Sequence, residues 1–326
     1  MKRLKNLAMI AMTAILFASC EDTFDELITD FQCVDVLEGH RGSVNSVCWS
    51  PDGKYIASGS SDQDIVIWNA SNGQKVRTLY EYYKSVTDVA WSPDGNYLAC
   101  GYYYDDNIIL YNPNNGTLLD TLKGNNGSIY SLAWSPDGEY LASGDGAGHI
   151  VLWDSDTKEK VKTLEGDWTS INSLAWSPDG RYLASGLSND NVVIWDVNSG
   201  QKLKTLKGHS SDVSSVCWSP DGKYLASGSY DRTVIIWNVN NGEREQIMDN
   251  GYYSPVYSVA WSPDGKYLAS GGSNSIITLW DSDTGENLQE LEVTDGGYIQ
   301  SLSWSPNGKY LLSGSYDGSI CIWSED

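Results

Sequence analysis

Short runs of five to seven residues, either apolar or alternating, recur along the chain and are separated by turn signals. From residue 213 the order is VSSVCWS, the turn PDG, KYLASGS, the turn YDR, TVIIWN, the turn VNNG, and then the polar run EREQIM. In such turns Pro fixes φ and Gly permits positive φ. The pattern therefore predicts four short antiparallel strands. No stretch carries a helical period, which argues against stacked helix pairs.

The pattern occurs seven times: WSPDG starts at Trp49, Trp91, Trp134, Trp176, Trp218 and Trp261, and WSPNG at Trp304, always 42 or 43 residues apart. A period of that size predicts a solenoid or a propeller, and four strands per period make a propeller blade. The last copy stops after its third strand, whereas FQCVDVL at residues 31 to 37 reads as a fourth strand with no blade. Pairing the two closes a ring and removes the unpaired seam. An open stack is disfavoured because no polar capping repeat exists. The expected fold is all-β: a seven-bladed β-propeller of four-stranded antiparallel blades, closed by an N-terminal strand that completes the last blade.

The grammar resembles the WD-repeat β-propeller family, whose blades run from a Gly-His pair to a Trp-Asp pair across about 40–45 residues. Gly39-His40 and Gly208-His209 supply the first pair, and Trp153-Asp154, Trp195-Asp196 and Trp280-Asp281 the second. Asn follows Trp68 and Trp237, and Tyr111-Asn112 replaces the pair in the second copy. The resemblance covers residues 31 to 324. It implies a hydrogen-bonded chain inside a blade, built from His40, Ser58, Asp62 and Trp68 in the first copy and His209, Ser227, Asp231 and Trp237 in the fifth. The other five copies lack the His, and Asn189, Asn274 and Ala147 replace the Asp in three of them. Those blades are expected to lean on apolar packing, because a half-built polar network is destabilising. The resemblance also implies a scaffold rather than an enzyme.

The front end is of another kind. MKRLKNLAMIAMTAILFASC opens with Lys2, Arg3 and Lys5, continues apolar, and ends in small residues before Cys20. That is the form of a secretory signal. FASC resembles the lipobox of bacterial lipoproteins, with Phe17 where Leu is usual, and implies a lipid on Cys20. Each buried methylene of such an anchor contributes about 0.8 kcal/mol. The following EDTFDELITD reads as an acidic tether, of a kind that resembles a surface-export signal in some Gram-negative lineages. The expected organisation is a signal at 1–19, a tether at 20–30 and a propeller at 31–326. The expected location is the outer membrane, facing the cell surface, with the periplasmic face as the alternative. Nothing later approaches the ~20 apolar residues of a membrane span.

Residues 1–19 hold three of the 21 basic side chains and none of the 43 acidic ones, so the remainder has 25 more acidic than basic groups. Such a field repels polyphosphates and offers no basic stripe, which excludes nucleic acid as the expected partner.

Candidate chemistry is sparse. Of the three His, only His149 lies outside the two blade networks, and its turn GAGHI offers no partner for a general base. There is no HExxH, CxxC or GxSxG, and DSDTK at 154–158 and DSDTG at 281–285 lack the remaining ligands of a calcium loop. No catalytic residue, metal or cofactor is expected. Glycosidase chemistry would have Asp105, Asp106, Asp231 and Asp317 to draw on, with Asp231 better explained as a blade residue. Cys48 and Cys217 read as small core residues, and Cys100 replaces the blade Ser. Cys33 lies beside the strand of Cys321, but simple alternation puts the two side chains on opposite sheet faces, which argues against a bridge.

The turns after the first strands are almost invariant. The loops expected on the other rim diverge toward aromatics, as in EYYKS, GYYYDD, GDWTS and GYYSPVYS. Of 21 Tyr, seven hold a fixed position after the PDG or PNG turn and twelve fall on the variable rim. Those twelve are Tyr82, Tyr83, Tyr102, Tyr103, Tyr104, Tyr130, Tyr230, Tyr252, Tyr253, Tyr257, Tyr298 and Tyr316, and Trp168 joins them. Tyr offers contact area at low rotamer entropy together with a hydroxyl, and an exposed cluster marks a binding surface. Apart from Tyr102 these are the candidate binding residues, and Tyr82, Tyr104, Tyr257 and Tyr298 are the first to test. The expected function is a lipid-anchored, monomeric, non-catalytic scaffold for a protein or peptide partner, with glycan binding as the alternative.

Overall fold

The computed structural model describes residues 30–79, 83–166, 168–249, 251, 253–293 and 297–325. The signal and Cys20 lie outside them. The described residues form twenty-eight strands in seven four-stranded antiparallel sheets. Six sheets are built from consecutive strands. The seventh takes its three inner strands from residues 299–325 and its outermost from Phe31–Leu37. Among the described residues no helix is long and apolar enough to cross a membrane.

The inner strands, Val44–Trp49, Val86–Trp91, Ile129–Trp134, Ile171–Trp176, Val213–Trp218, Val256–Trp261 and Ile299–Trp304, surround a central channel. The fixed Ser of this strand ties each blade to the next. The Val89 amide donates to Ser46, the Leu174 amide to Ser131 and the Val216 amide to Ser173, and across the closure the Val47 amide donates to Ser301 at 3.1 Å. Behind these bonds a Gly on each second strand admits the next blade. A Cβ on Gly59 would meet Val86 at 2.4 Å, and one on Gly314 would meet Val44 at 2.8 Å.

Only Phe31 and Leu37 of the N-terminal strand are buried. Leu37 packs between blades 7 and 1, among Val44, Trp68, Leu312 and Ile320. Phe31 packs edge-on against Tyr267 and Trp304, and its backbone exchanges two hydrogen bonds with the Gln289 side chain of blade 6. The strand therefore clasps three blades.

Two expectations need correction. The clasp pairing slips at a bulge between Cys33 and Asp35: Cys33 stands opposite Trp323, and Val36 opposite Cys321. Because Trp323 and Cys321 are two residues apart on one strand, Cys33 and Cys321 share a face rather than opposing each other. In blade 3, Asn125 takes the place of the missing His, accepting a 2.8 Å hydrogen bond from Ser143, which itself receives the Trp153 indole N–H. Asp145 in turn caps the lead-in loop through the Asn126 and Ala147 amides, although the usual Asp position holds Ala147. This blade is polar inside, and the substitution was invisible because Asn is common in turns.

One member of the serine ring is not a serine. Asp88 accepts the Leu132 amide at 2.7 Å and the Ser46 hydroxyl at 2.7 Å. Burial pushes its pKa up to about 6, against the pull of those bonds. A carboxyl that holds its proton more tightly when folded destabilises the fold once ionised, fully above about pH 6 and not at all below its unfolded value near 4. Asp88→Ser, which restores the residue of the other six blades, is expected to raise unfolding free energy by about 1–3 kcal/mol at pH 8 and by almost nothing at pH 4. Denaturant titrations of both proteins at the two pH values check this; an equal gain at both would rule out titration of Asp88 as the cause.

Candidate functional site

In every blade the turn between second and third strands donates a backbone hydrogen bond to the loop leading into that blade, as from Ser61 to Ser43, Tyr103 to Ser85, Tyr230 to Asp212 and Tyr316 to Tyr298. Both variable segments thus share one face. On the opposite face each PDG or PNG turn is closed alike: the Ser50 hydroxyl donates to Asp52 at 2.7 Å and receives the Tyr55 amide at 2.9 Å, with Gly53 at φ +69°. That bond set explains why those turns do not vary.

The centre of the variable face is a funnel of about 530 Å³. One residue from each blade lines it: Asn45, Thr87, Tyr130, Asn172, Ser214, Tyr257 and Gln300, joined by Ser211, Asp212 and Tyr230. Each of the seven is the second residue of an inner strand, and each inner strand's register shifts there, as between Val44 and Ser46 or Ile299 and Ser301. A bulge re-aims the side chain it carries. Asn45, Thr87, Asn172 and Ser214 donate to the backbone carbonyl of Val86, Ile129, Val213 and Val256, latching the next blade. Tyr130, Tyr257 and Gln300 make no such latch. The lining holds no cation and no aliphatic side chain, so it offers little to an anion or an apolar group. It is equipped for amides, hydroxyls and aromatic contact, with one carboxylate.

Around the funnel stand exposed rings. Tyr83, Tyr104, Trp168, Tyr253 and Tyr316 are the most exposed, followed by Tyr230, Tyr298 and Tyr103. They fall into groups: Tyr103 with Tyr104 and Tyr130, Tyr230 with Tyr257, and Tyr298 with Tyr316, while Arg232 covers the Tyr253 ring. Tyr130 and Tyr257 are half-buried in the funnel wall. Tyr82 and Tyr252 lie outside the described residues. Tyr102 does not belong to the rim: it is buried in the core between blades 1 and 2. Sequence reading missed the five inner-strand lining residues other than Tyr, because their aim depends on a bulge that strand alternation does not reveal. The available signal was a variable position between a fixed Val or Ile and a mostly fixed Ser.

Three rim aromatics adopt left-handed backbone: Tyr104 at φ +58°, Trp168 at +56° and Tyr253 at +46°. Bulky residues rarely occupy that region, and each such placement costs roughly 1–2 kcal/mol. Gly would fit these positions without strain. The chain instead carries large rings there, 78%, 80% and 82% exposed, where they gain little burial in return.

The polar blade residues sit away from this surface chemistry. His209 lies 2.8 Å from Asp231 through Nδ1 and 2.7 Å from Ser227 through Nε2, and the Trp237 indole donates to Ser227 at 2.8 Å. His40, Asp62, Ser58 and Trp68 repeat the arrangement, with His40 pulled below its ordinary pKa by burial. Asp105 occupies the same station in blade 2. Burial opposes its charge, but hydrogen bonds from Lys84 and Asn107 hold its pKa below the usual range. Asp317 caps its own turn through Ser319. His149 packs edge-on against Trp168, with its Nδ1 3.4 Å from the Asp145 carboxylate. Among the described residues, no three His, Cys, Asp or Glu are arranged to hold a metal ion.

Comparison with known proteins gives family matches along the chain. Residues 31–69 and 73–112 match the WD domain, G-beta repeat; residues 170–326 match the IFT122 first beta-propeller; residues 100–239 match the eukaryotic translation initiation factor eIF2A. Among curated relatives, Protein Mut11 of Chlamydomonas reinhardtii is 44% identical over 48 residues, 15% of this chain and 13% of that protein. A guanine nucleotide-binding protein subunit beta of Oryza sativa subsp. indica is 39% identical over 51 residues, 16% of this chain and 13% of that one. A probable cytosolic Fe-S cluster assembly factor of Schizosaccharomyces japonicus is 39% identical over 54 residues, 17% of this chain and 9% of its own length. The matched segments are thus about one repeat long and span a small part of each relative.

Proposed function

The chain belongs to the WD-repeat β-propeller family, a fold typical of protein-interaction scaffolds, and from that premise we propose a non-catalytic, lipid-anchored scaffold that receives a protein partner on its aromatic rim. The observation that carries this reading is the strained, exposed placement of Tyr104, Trp168 and Tyr253. Rings held at positive φ and left mostly exposed suit a surface kept for a partner. Three of the four carboxylates that could have served hydrolysis are better employed in the fold, since Asp105 and Asp231 accept hydrogen bonds inside blades and Asp317 caps a turn, while Asp106 is exposed. Anchoring is proposed from the FASC sequence ending at Cys20, and an outward-facing position from the acidic run EDTFDELITD that follows it, with the periplasmic face as the alternative.

A second reading, capture of a neutral glycan, is favoured by the amide and hydroxyl lining of the funnel. One set of variants separates the readings. The triple change Tyr104→Gly, Trp168→Gly and Tyr253→Gly is expected to leave thermal stability equal or higher, by up to about 1–2 kcal/mol per site, while abolishing protein capture from intact cells by the full-length chain. Loss of glycan-array binding in the same variant, with no protein captured by the parent, would replace the first reading with the second. Unchanged binding of either kind would remove the rim from consideration. In parallel, Cys20→Ser is expected to move the chain out of the membrane fraction without altering what the rim captures.

A further inference from the structure

We infer that Cys33 and Cys321 are an oxidation site, joined by a disulfide that locks the propeller's ring at its clasp. The bulge that corrects the register brings the two onto one face of the closing sheet, close enough that Cys33 adds to burial in raising the pKa of the Cys321 thiol. Cys33 is exposed and Cys321 buried, so one sulfur is reachable and the other is sheltered behind it.

Comparison among the blades makes the pair more than an accident of proximity. The station of Cys33, opposite the blade Trp on the outer strand, holds Lys75, Lys160, Lys202 and Arg244 in blades 1, 3, 4 and 5. The station of Cys321 holds β-branched residues in all six other blades, for example Val66 opposite Thr78 and Val193 opposite Thr205. Both stations depart from the pattern in the same blade. That blade is the one whose outer strand comes from the far end of the chain.

The chemistry is thiol–disulfide exchange with an external disulfide, either a low-molecular-weight one or that of an oxidoreductase. The Cys33 thiolate attacks one sulfur of the external disulfide and releases the other as a thiolate. The Cys321 thiolate then displaces the remaining external sulfur from Cys33. Two protein thiols lose their protons and are oxidised to one disulfide, and the external disulfide is reduced to two thiols. Exposure makes Cys33 the first attacker, since burial raises the pKa of the Cys321 thiol. Bond formation needs Cβ atoms about 3.5–4.5 Å apart, and from the diagonal placement of Cys33 and Cys321 it requires the bulged edge strand to move inward.

The consequence bears on the proposed anchor, and this clause alone rests on that reading. A load applied through Cys20 enters the propeller at Phe31, and peeling an edge strand is the easiest way to open the ring. A Cys33–Cys321 bond passes the load to the third strand of blade 7.

Full-length protein in detergent, treated with oxidised glutathione, then denatured and alkylated, gives the test. Cys48, Cys100 and Cys217 are expected to alkylate, while Cys33 and Cys321 appear as one cross-linked peptide pair. Reduction is expected to lower the melting midpoint on the order of 10 °C. Cys33→Ser and Cys321→Val should each fold and each lose that shift. Alkylation of both Cys33 and Cys321 after oxidation, or glutathione left on Cys33 with Cys321 free, would overturn the inference. Repeating the assay on Cys20→Ser keeps it separate from anchoring, because the cross-link should form whether or not the chain is held at a membrane.

Discussion

Deleting residues 31–37 is expected to lower the thermal midpoint by at least 15 °C and to make the propeller aggregate. The deletion removes Phe31 from between Tyr267 and Trp304 and Leu37 from between blades 7 and 1. Large-to-small changes at such sites cost about 3–5 kcal/mol for Phe and 2–5 for Leu. Together they approach the 5–15 kcal/mol that holds a typical domain folded. At roughly 2–4 °C per kcal/mol the shift is tens of degrees. The deletion also bares the edge of Ile320–Glu325, whose pairing groups would then be open to another chain. Phe31→Ala with Leu37→Ala keeps the backbone pairing and isolates the packing. It should reproduce most of the loss in midpoint with less aggregation. Calorimetry and light scattering on the three proteins check both parts.

Ser227→Ala should be the most damaging single-atom change in the molecule, destabilising it by about 2–4 kcal/mol. The Ser227 hydroxyl is hydrogen-bonded to both the Trp237 indole N–H and His209 Nε2, in a fully buried setting. With Nδ1–H donating to Asp231, Nε2 accepts from Ser227. Loss of the hydroxyl strands one donor and one acceptor, each at roughly 1–3 kcal/mol. Ser185→Ala in blade 4 strands the Trp195 indole alone and should cost about half as much. The fifth blade should also carry an acid-sensitive component. Burial opposes the charge of Asp231, but hydrogen bonds from His209, Ser210 and Thr233 hold its pKa well below the ordinary carboxylate value. A carboxylate depressed in the folded state stabilises above its unfolded value near 4 and loses that contribution as pH falls further. The destabilisation by Asp231→Asn should therefore shrink on acidification below pH 4, whereas Asp88→Ser stabilises, by an amount that has already faded by pH 4. Denaturant unfolding of the variants at pH 7 and pH 3 checks the order and the sign.

Much of the architecture could be read from the chain because a repeat tests itself. Seven copies of WSPDG or WSPNG fix the period, and the missing fourth strand of the last copy points to FQCVDVL. The aromatic loops were legible for the same reason, since they vary where the neighbouring turns do not. What escaped was decided by single-residue irregularities. The bulge at Val34 reverses the relation of Cys33 to Cys321, and seven further bulges aim Asn45, Thr87, Asn172, Ser214 and Gln300 into the funnel beside Tyr130 and Tyr257. Alternation assumes an unbroken two-residue period, so one inserted residue inverts its answer. Asp88 and Asn125 escaped because their partners come from a neighbouring blade or loop, which local sequence does not show. A similar local accident separates the tryptophans. Five inner-strand indoles, such as Trp134 to the Ala90 carbonyl, bond the preceding blade, but Trp91 has no partner and Trp261 turns to Gly265. These two follow the blades in which Cys48 and Cys217 stand in place of a smaller Ala or Ser, and the bulkier sulfur is the local difference.

Hydroxyl-radical footprinting of the full-length protein, alone and with its captured partner, addresses the rim directly. Protection is expected at Tyr83, Tyr104, Trp168 and Tyr253, with Tyr55, Tyr182 and Tyr310 beside the fixed turns unchanged. Protection confined to the fixed-turn face, with the rim aromatics labelled as strongly as in the free protein, would contradict it.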